Sequence, residues 1–286
     1  MLANPAPLTG PGQSVCYAPE ARFLVTGGIE TTPTRAWNAV NGKLLGQFSD
    51  SAGGSIWSAQ FSPDGKFFAT AYADAGTNGG VRIYTIETAP AEKKGCGLSP
   101  NEINSFPGSC WSLNFDRDSH RLAFADHRAR GDLFVWDFCD APRPRLVATD
   151  RLSYVQCESF TPEGHQLLYV NDQREVVALD VATGTKAFTF PTAASAGARD
   201  FGPVNLCLSP DGTKLALTSP SRLGVELFDP KTGHRLTSLP EQNGTVWFLA
   251  WSPDSQRLAV SRSSGDITIW NLKEVERVLA ELGLKP

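Results

Sequence analysis

The chain has 286 residues, 41% of them hydrophobic and 20% charged, with a formal net charge of −4. That length buries a large core without help from a metal or disulfide, and the composition is too apolar for disorder. The charge lacks the basic surplus of a nucleic-acid binder. No apolar stretch reaches bilayer-spanning length, and Met1-Leu2-Ala3-Asn4-Pro5-Ala6-Pro7 has neither a positive nor an apolar leader region. The expectations are no nucleic acid, no membrane and a cytoplasmic location.

In chain order, one turn keeps returning. It reads Tyr17-Ala18-Pro19-Glu20-Ala21, then Phe61-Ser62-Pro63-Asp64-Gly65, then a degenerate Phe115-Asp116-Arg117-Asp118-Ser119. Phe160-Thr161-Pro162-Glu163-Gly164, Leu208-Ser209-Pro210-Asp211-Gly212 and Trp251-Ser252-Pro253-Asp254-Ser255 follow. Its third position falls at 19, 63, 117, 162, 210 and 253, spacings of 43 to 54 residues. That is the period of a four-stranded propeller blade. Proline presets φ, Asp or Glu can bond the backbone just beyond, and Gly tolerates a positive φ.

A second apolar strand follows each turn, as in Leu122-Ala123-Phe124 and Leu215-Ala216-Leu217. A third strand ends on an aromatic residue or Leu plus a polar residue: Trp37-Asn38, Tyr84-Thr85, Trp136-Asp137, Leu179-Asp180, Phe228-Asp229 and Trp270-Asn271. Fourth strands are expected at 43–48, about 102–106, 146–149, 186–190 and 235–239. The expected fold is therefore all-β, a six-bladed propeller of four-stranded antiparallel blades at about 13–48, 55–106, 109–149, 153–190, 203–239 and 245–271. The last blade has no fourth strand after it, and 5–9 would supply one at an outer edge, where proline is tolerated. A seventh blade would need about forty more residues, and no unassigned stretch is that long. After residue 271 the apolar spacing turns helical, predicting a short C-terminal helix over 272–284, capped by Asn271 with Glu274 reaching back and ended by Gly283. It is expected to pack on the rim of the last blade.

Trp136-Asp137, and Gly265-Asp266-Ile267-Thr268-Ile269-Trp270-Asn271 with Trp-Ser-Pro-Asp upstream, resemble WD40 repeats. The resemblance covers nearly the whole chain and implies a WD40-like propeller used as a binding platform. Only blade 3 keeps Trp-Asp, and no copy is expected to open on the Gly-His dipeptide of well-formed WD40 repeats. The buried Asp–His–Ser–Trp network of that family is then not expected. The degenerate repeats also resemble propellers of large bacterial proteins, some attached to serine/threonine kinases, but the chain has no His-Arg-Asp and no Gly-rich loop followed by a Val-Ala-Ile-Lys-like strand.

Catalytic signals are few. Cys16, Cys110, Cys157 and Cys207 fall on the same strand of different repeats and read as buried free thiols. Cys96 and Cys139 stand apart, with no C-x-x-C. His120, His127, His165 and His234 have no metal-ligand spacing and are expected to be solvent-exposed, so no metal and no cofactor are expected. Glu158 is an exception, a carboxylate at an inner-strand position that is Ala, Leu or Val elsewhere. It should have a polar partner or face the channel.

Six residues before the turn proline, Trp57, Trp111 and Trp247 hold one slot in blades 2, 3 and 6, with Gln13, Gln156 and Val204 in the others. The resemblance places this slot at the mouth of the central channel. Loops carrying His127, Arg128, Arg130, Arg222 and Arg262 should emerge on the same face. Trp and Arg dominate interface hot spots because they bury much area and still offer polar handles. Trp57, Trp111, Trp247, Gln156, Arg128, Arg130, Arg222 and Arg262 are thus the candidate binding residues for a protein or peptide, on a monomer that is not an enzyme. A Trp filling the taper between blades and a solvated loop Arg are the plainer readings. A propeller hydrolase or lactonase with a site at the channel is the alternative, since fold alone does not exclude it. A structural domain of a larger assembly, joined through the helix, is another.

Overall fold

The computed structural model describes residues 14–19, 23–28, 33–48, 55–73, 79–88, 98–128, 131–150, 158–192 and 204–281. They divide between two compact units, Met1–Thr149 and Asp150–Pro286.

The first unit holds three blades. Blade 1 is β1 (Val15–Tyr17), β2 (Phe23–Thr26), β3 (Thr34–Asn38) and β4 (Leu44–Phe48). Blade 2 is β5 (Ser55–Phe61), β6 (Phe67–Ala73), β7 (Gly79–Thr88) and β8 (Leu98–Pro107). Blade 3 is β9 (Cys110–Phe115), β10 (Arg121–Asp126), β11 (Asp132–Asp137) and β12 (Arg145–Thr149). The second unit holds blade 4, with β13 (Glu158–Phe160), β14 (Gln166–Val170), β15 (Glu175–Asp180) and β16 (Lys186–Pro191). Blade 5 is β17 (Leu206–Leu208), β18 (Leu215–Thr218), β19 (Val225–Phe228) and β20 (Arg235–Leu239). Blade 6 is β21 (Val246–Trp251), β22 (Arg257–Arg262) and β23 (Ile267–Asn271), followed by α1 (Leu272–Glu281).

Every sheet is antiparallel, with its strands in chain order. This is the all-β, six-bladed propeller fold that the repeat predicts. One boundary differs. The fourth strand of blade 2 starts at Leu98, not near 102, because β7 runs on to Thr88 and its extra residues pair with 98–101. Blade 6 shows three strands among the described residues. Its expected fourth strand at 5–9 lies outside them, as do Cys96, Cys157 and the end of the predicted helix. No helix among the described residues is long and apolar enough to cross a membrane.

The core lies between neighbouring blades. One cluster joins blades 1 and 2 through Val25, Ala36, Ile56 and Phe68. A second joins blades 2 and 3 through Val81, Ile83, Phe124 and Trp136. In the second unit, Leu168, Val176, Leu206 and Leu217 fill the seam of blades 4 and 5. Leu227, Leu239, Leu249 and Leu258 fill the seam of blades 5 and 6. A middle blade is covered on both faces, so its strands read as continuous apolar runs, such as Leu215–Thr218, and not as alternations.

The recurring turn behaves as its chemistry predicts. Asp64 Oδ1 accepts from the Lys66 amide at 3.0 Å, and Asp211 Oδ1 from the Thr213 amide at 3.0 Å. Gly65, Gly164 and Gly212 take positive φ, and where glycine is missing Ser119 (φ 62) and Ser255 (φ 58) accept the strain. Each of these serines stitches two blades. Asp64 donates its backbone N–H to Ser119 Oγ at 3.0 Å, and Asp211 donates to Ser255 Oγ at 3.1 Å. Ser255→Ala, which keeps the strain and removes the acceptor, should cost about 1 kcal/mol, read in urea unfolding. Ser255→Gly, which relieves the backbone, should cost less. Equal losses would remove the stitch from the account.

Asn271 caps α1 by accepting from the Glu274 amide at 3.3 Å. The Glu274 carboxylate engages Arg277 instead of reaching back. Leu272 is buried among blade 5 and 6 residues, and Glu276 meets Lys214 at 3.4 Å. The helix therefore sits on blade 5 as well as blade 6 of its own unit.

Candidate functional site

In the first unit, β5 and β9 run side by side, and their opening segments bring two of the predicted tryptophans together. The Trp57 and Trp111 rings stack with centroids 4.8 Å apart and planes 6° apart. Both are half-buried. Trp111 Nε1 donates to Ser109 Oγ at 3.2 Å, whereas Trp57 Nε1 is buried with no hydrogen-bond partner among the described residues.

His127 meets Trp111 edge-on at 6.1 Å. It was expected to be exposed and is not. Its amide bonds the Ser109 carbonyl at 2.9 Å, which folds the loop back onto the Trp111 ring. Burial lowers the imidazole to about 4, against the opposing pull of the Asp126 charge. Arg128, expected to be a free loop cation, is locked in place. Its Nη2 donates to Asp126 Oδ2 at 2.7 Å and to the Pro107 carbonyl at 2.6 Å. Burial alone would raise the Asp126 carboxyl, but the Arg128 side chain and the Ser109 and Arg128 amides outweigh it and hold it below its ordinary value. The cluster is thus a stacked aromatic pair buttressed by a neutral imidazole and a fixed ion pair. Such a surface offers flat apolar area with little left to order, which suits a binding anchor.

In the second unit, Trp247 follows the first residue of β21 and is 50% exposed. Val204, which holds the same slot in blade 5, is buried. Arg262 does not project from a loop as expected. It is the last residue of β22, 5% exposed, and its Nη1 donates to Thr268 Oγ1 at 3.0 Å. Arg222 is half-buried in the turn after β18. Gln156 and Arg130 lie outside the described residues.

Of the remaining predicted groups, His120, His165 and His234 are exposed as expected, and Cys16, Cys110 and Cys207 are free thiols on inner strands. Glu158 is buried at 4% exposure. Among the described residues no group of three or more His, Cys, Asp or Glu side chains could hold a metal ion. His127 was the residue missed. The signal available was its place two residues before Ala129 in a turn opening on Asp126, whose carboxylate draws the loop inward through backbone amides.

The WD domain, G-beta repeat family matches residues 42–85 and 233–271. Each span runs from the fourth strand of one blade through the third strand of the next. The second opens on Gly233-His234, the dipeptide expected to be missing from every copy. His234 is nevertheless exposed, and Trp270 Nε1 is buried without a partner among the described residues. No curated protein matches the chain. Many chains of solved structures do, 1648 in all, a breadth that speaks for fold and not for function. One of them, from the crystal structure of the mitotic checkpoint complex, covers 91% of this chain and 75% of its own, with a TM-score of 0.65 and 18% identity. At that identity the likeness is one of fold alone.

Proposed function

We propose that this chain, a WD40-like β-propeller, is a non-catalytic platform that binds protein or peptide partners through tryptophan anchors. The observation that carries the reading is the Trp57–Trp111 stack, two large half-buried rings held rigid at the openings of adjacent inner strands. Rigid aromatics buried by a ligand make the strongest interface anchors. In the second unit, the half-exposed Trp247 supplies an anchor of the same type. The likeness to a chain of the mitotic checkpoint complex, itself an assembly, is consistent with a role in protein association. The reading takes the chain as a cytoplasmic monomer that needs no cofactor and binds neither nucleic acid nor membrane.

The test is affinity capture from cytosol with the full chain, beside Trp57→Ala/Trp111→Ala and Trp247→Ala variants shown to be folded by circular dichroism. The captured partner's affinity should fall at least tenfold in one of the variants, the scale of a hot-spot loss of about 2 kcal/mol. A partner held equally by all three proteins would move the site elsewhere. A chain that captures nothing but hydrolyses an ester or lactone would replace the platform with an enzyme.

A further inference from the structure

At the end of the second unit where second strands turn into third strands, three arginines sit in places that a solvated surface does not explain. Arg174 occupies the left-handed position of the β14–β15 turn (φ 60), and Arg222 the left-handed position of the β18–β19 turn (φ 64). Glycine holds this position in the β22–β23 turn, at Gly265 (φ 88), and in blade 3, at Gly131 (φ 89). A left-handed backbone is unfavourable for any residue with a Cβ. The turn suits glycine, yet two adjacent blades place arginine there.

Nor do Arg174 and Arg262 reach out into water, and Arg222 does so only in part. Arg174 is 2% exposed, and burial, then the Arg222 charge, lower its guanidinium from the ordinary value, with Glu226 opposing. Arg222 Nε is buried with no hydrogen-bond partner among the described residues, and so is Arg262 Nε. The backbone brings the last two together. Val246 donates its N–H to the Arg222 carbonyl at 2.8 Å and pairs across the ladder with Arg262. The residue after Val246 is Trp247. Nearby carboxylates are already engaged: Glu226 by Arg235 at 3.0 Å, and Glu241 by the Ser221 hydroxyl. Arg262 Nη1 itself donates to Thr268 Oγ1 at 3.0 Å and pairs with the half-exposed Asp266 at 3.9 Å.

We infer that this end of the second unit binds an oxyanion, the carboxylate or phosphate group of a peptide side chain, through half-buried Arg222, with the buried charge of Arg262 behind it. A guanidinium presents a planar fork of donors that matches either group, and it pairs more strongly where water is partly excluded. The peptide rests on the platform reading above; the oxyanion itself does not.

The test uses the full chain in low salt, titrated calorimetrically with inorganic phosphate. It is then titrated with three short peptides identical but for one position, held by serine, glutamate or phosphoserine. The wild type should bind phosphate and one of the two charged peptides, and the serine peptide at least tenfold more weakly. Preference for phosphoserine assigns a phosphate, and preference for glutamate a carboxylate. Arg222→Gly, which sheds the backbone strain, should keep or raise Tm while losing at least tenfold in oxyanion affinity. Arg262→Gln should lose affinity as well. A wild type that binds no oxyanion, or an Arg222→Gly variant that binds as tightly, overturns the site. So does an Arg222→Gly variant whose Tm falls while binding holds, for the arginine then serves the turn. Failure here with tryptophan-dependent capture intact sinks only this inference. Oxyanion binding without tryptophan-dependent capture sinks the platform and leaves a small-anion site.

Discussion

Replacing Trp136 with alanine should cost the protein about 4 kcal/mol, within the range for deleting a buried aromatic side chain. Trp136 lies near the end of β11, is fully buried, and packs against Phe124 at 6.4 Å in the seam of blades 2 and 3. Two losses add. The seam loses the dispersion contacts of the ring and keeps part of the void, since close-packed interiors relax only in part. The Ala141 carbonyl also loses the indole N–H that donates to it at 2.9 Å. Trp136→Phe separates the two, for it keeps most of the volume and gives up the hydrogen bond, at about 1 kcal/mol. Urea unfolding followed by far-ultraviolet circular dichroism reads both. An alanine variant within 1 kcal/mol of wild type would mean that this seam is not packed as described.

Acid should weaken the first unit through His127. In the unfolded chain this imidazole takes up a proton near its ordinary value of 6.5, whereas in the folded loop it stays neutral down to about 4. Across that window the unfolded state binds a proton that the folded state refuses, so stability falls as pH falls from 6.5 to 4. The shift sets a ceiling of about 3 kcal/mol, reduced because the ring is not wholly shielded from water. Asp126 acts in a different range. Its carboxyl is held below the ordinary value, so its contribution is full above that value and is lost only as pH drops beneath it. His127→Gln should therefore flatten the pH dependence between 6.5 and 4 and leave the loss at lower pH in place. The readout is urea midpoints at pH 7, 5.5 and 4 for both proteins. Parallel curves for wild type and variant would remove His127 as the cause. Because the folded imidazole that buttresses Trp111 stays neutral down to about 4, partner affinity should hold across this window and fall only below it.

Much of this protein is legible in one dimension. Repeating Pro-Asp-Gly turns and short apolar strands ending on an aromatic residue specify four-stranded antiparallel blades, because these signals act within a few residues: proline fixes φ, glycine permits positive φ, and Asp caps the amides beyond it. The longer pairing of β7 with β8 escaped because the extra register is set across two strands, by partners 10 to 16 residues apart. The slot shared by Trp57 and Trp111 was visible as a pattern, but the stacking of the two rings follows from the contact of β5 with β9 in adjacent blades. The arginines show the limit most clearly. In the sequence Arg128, Arg222 and Arg262 look alike, polar residues near turns. In the fold Arg128 is tied to Asp126, Arg222 is held in a left-handed turn, and Arg262 lies buried at the end of β22. Local chemistry chose the strands and turns. Which charges are paired or buried was decided only by the folded packing, within a blade and between blades, because burial depends on neighbours that the linear order does not show.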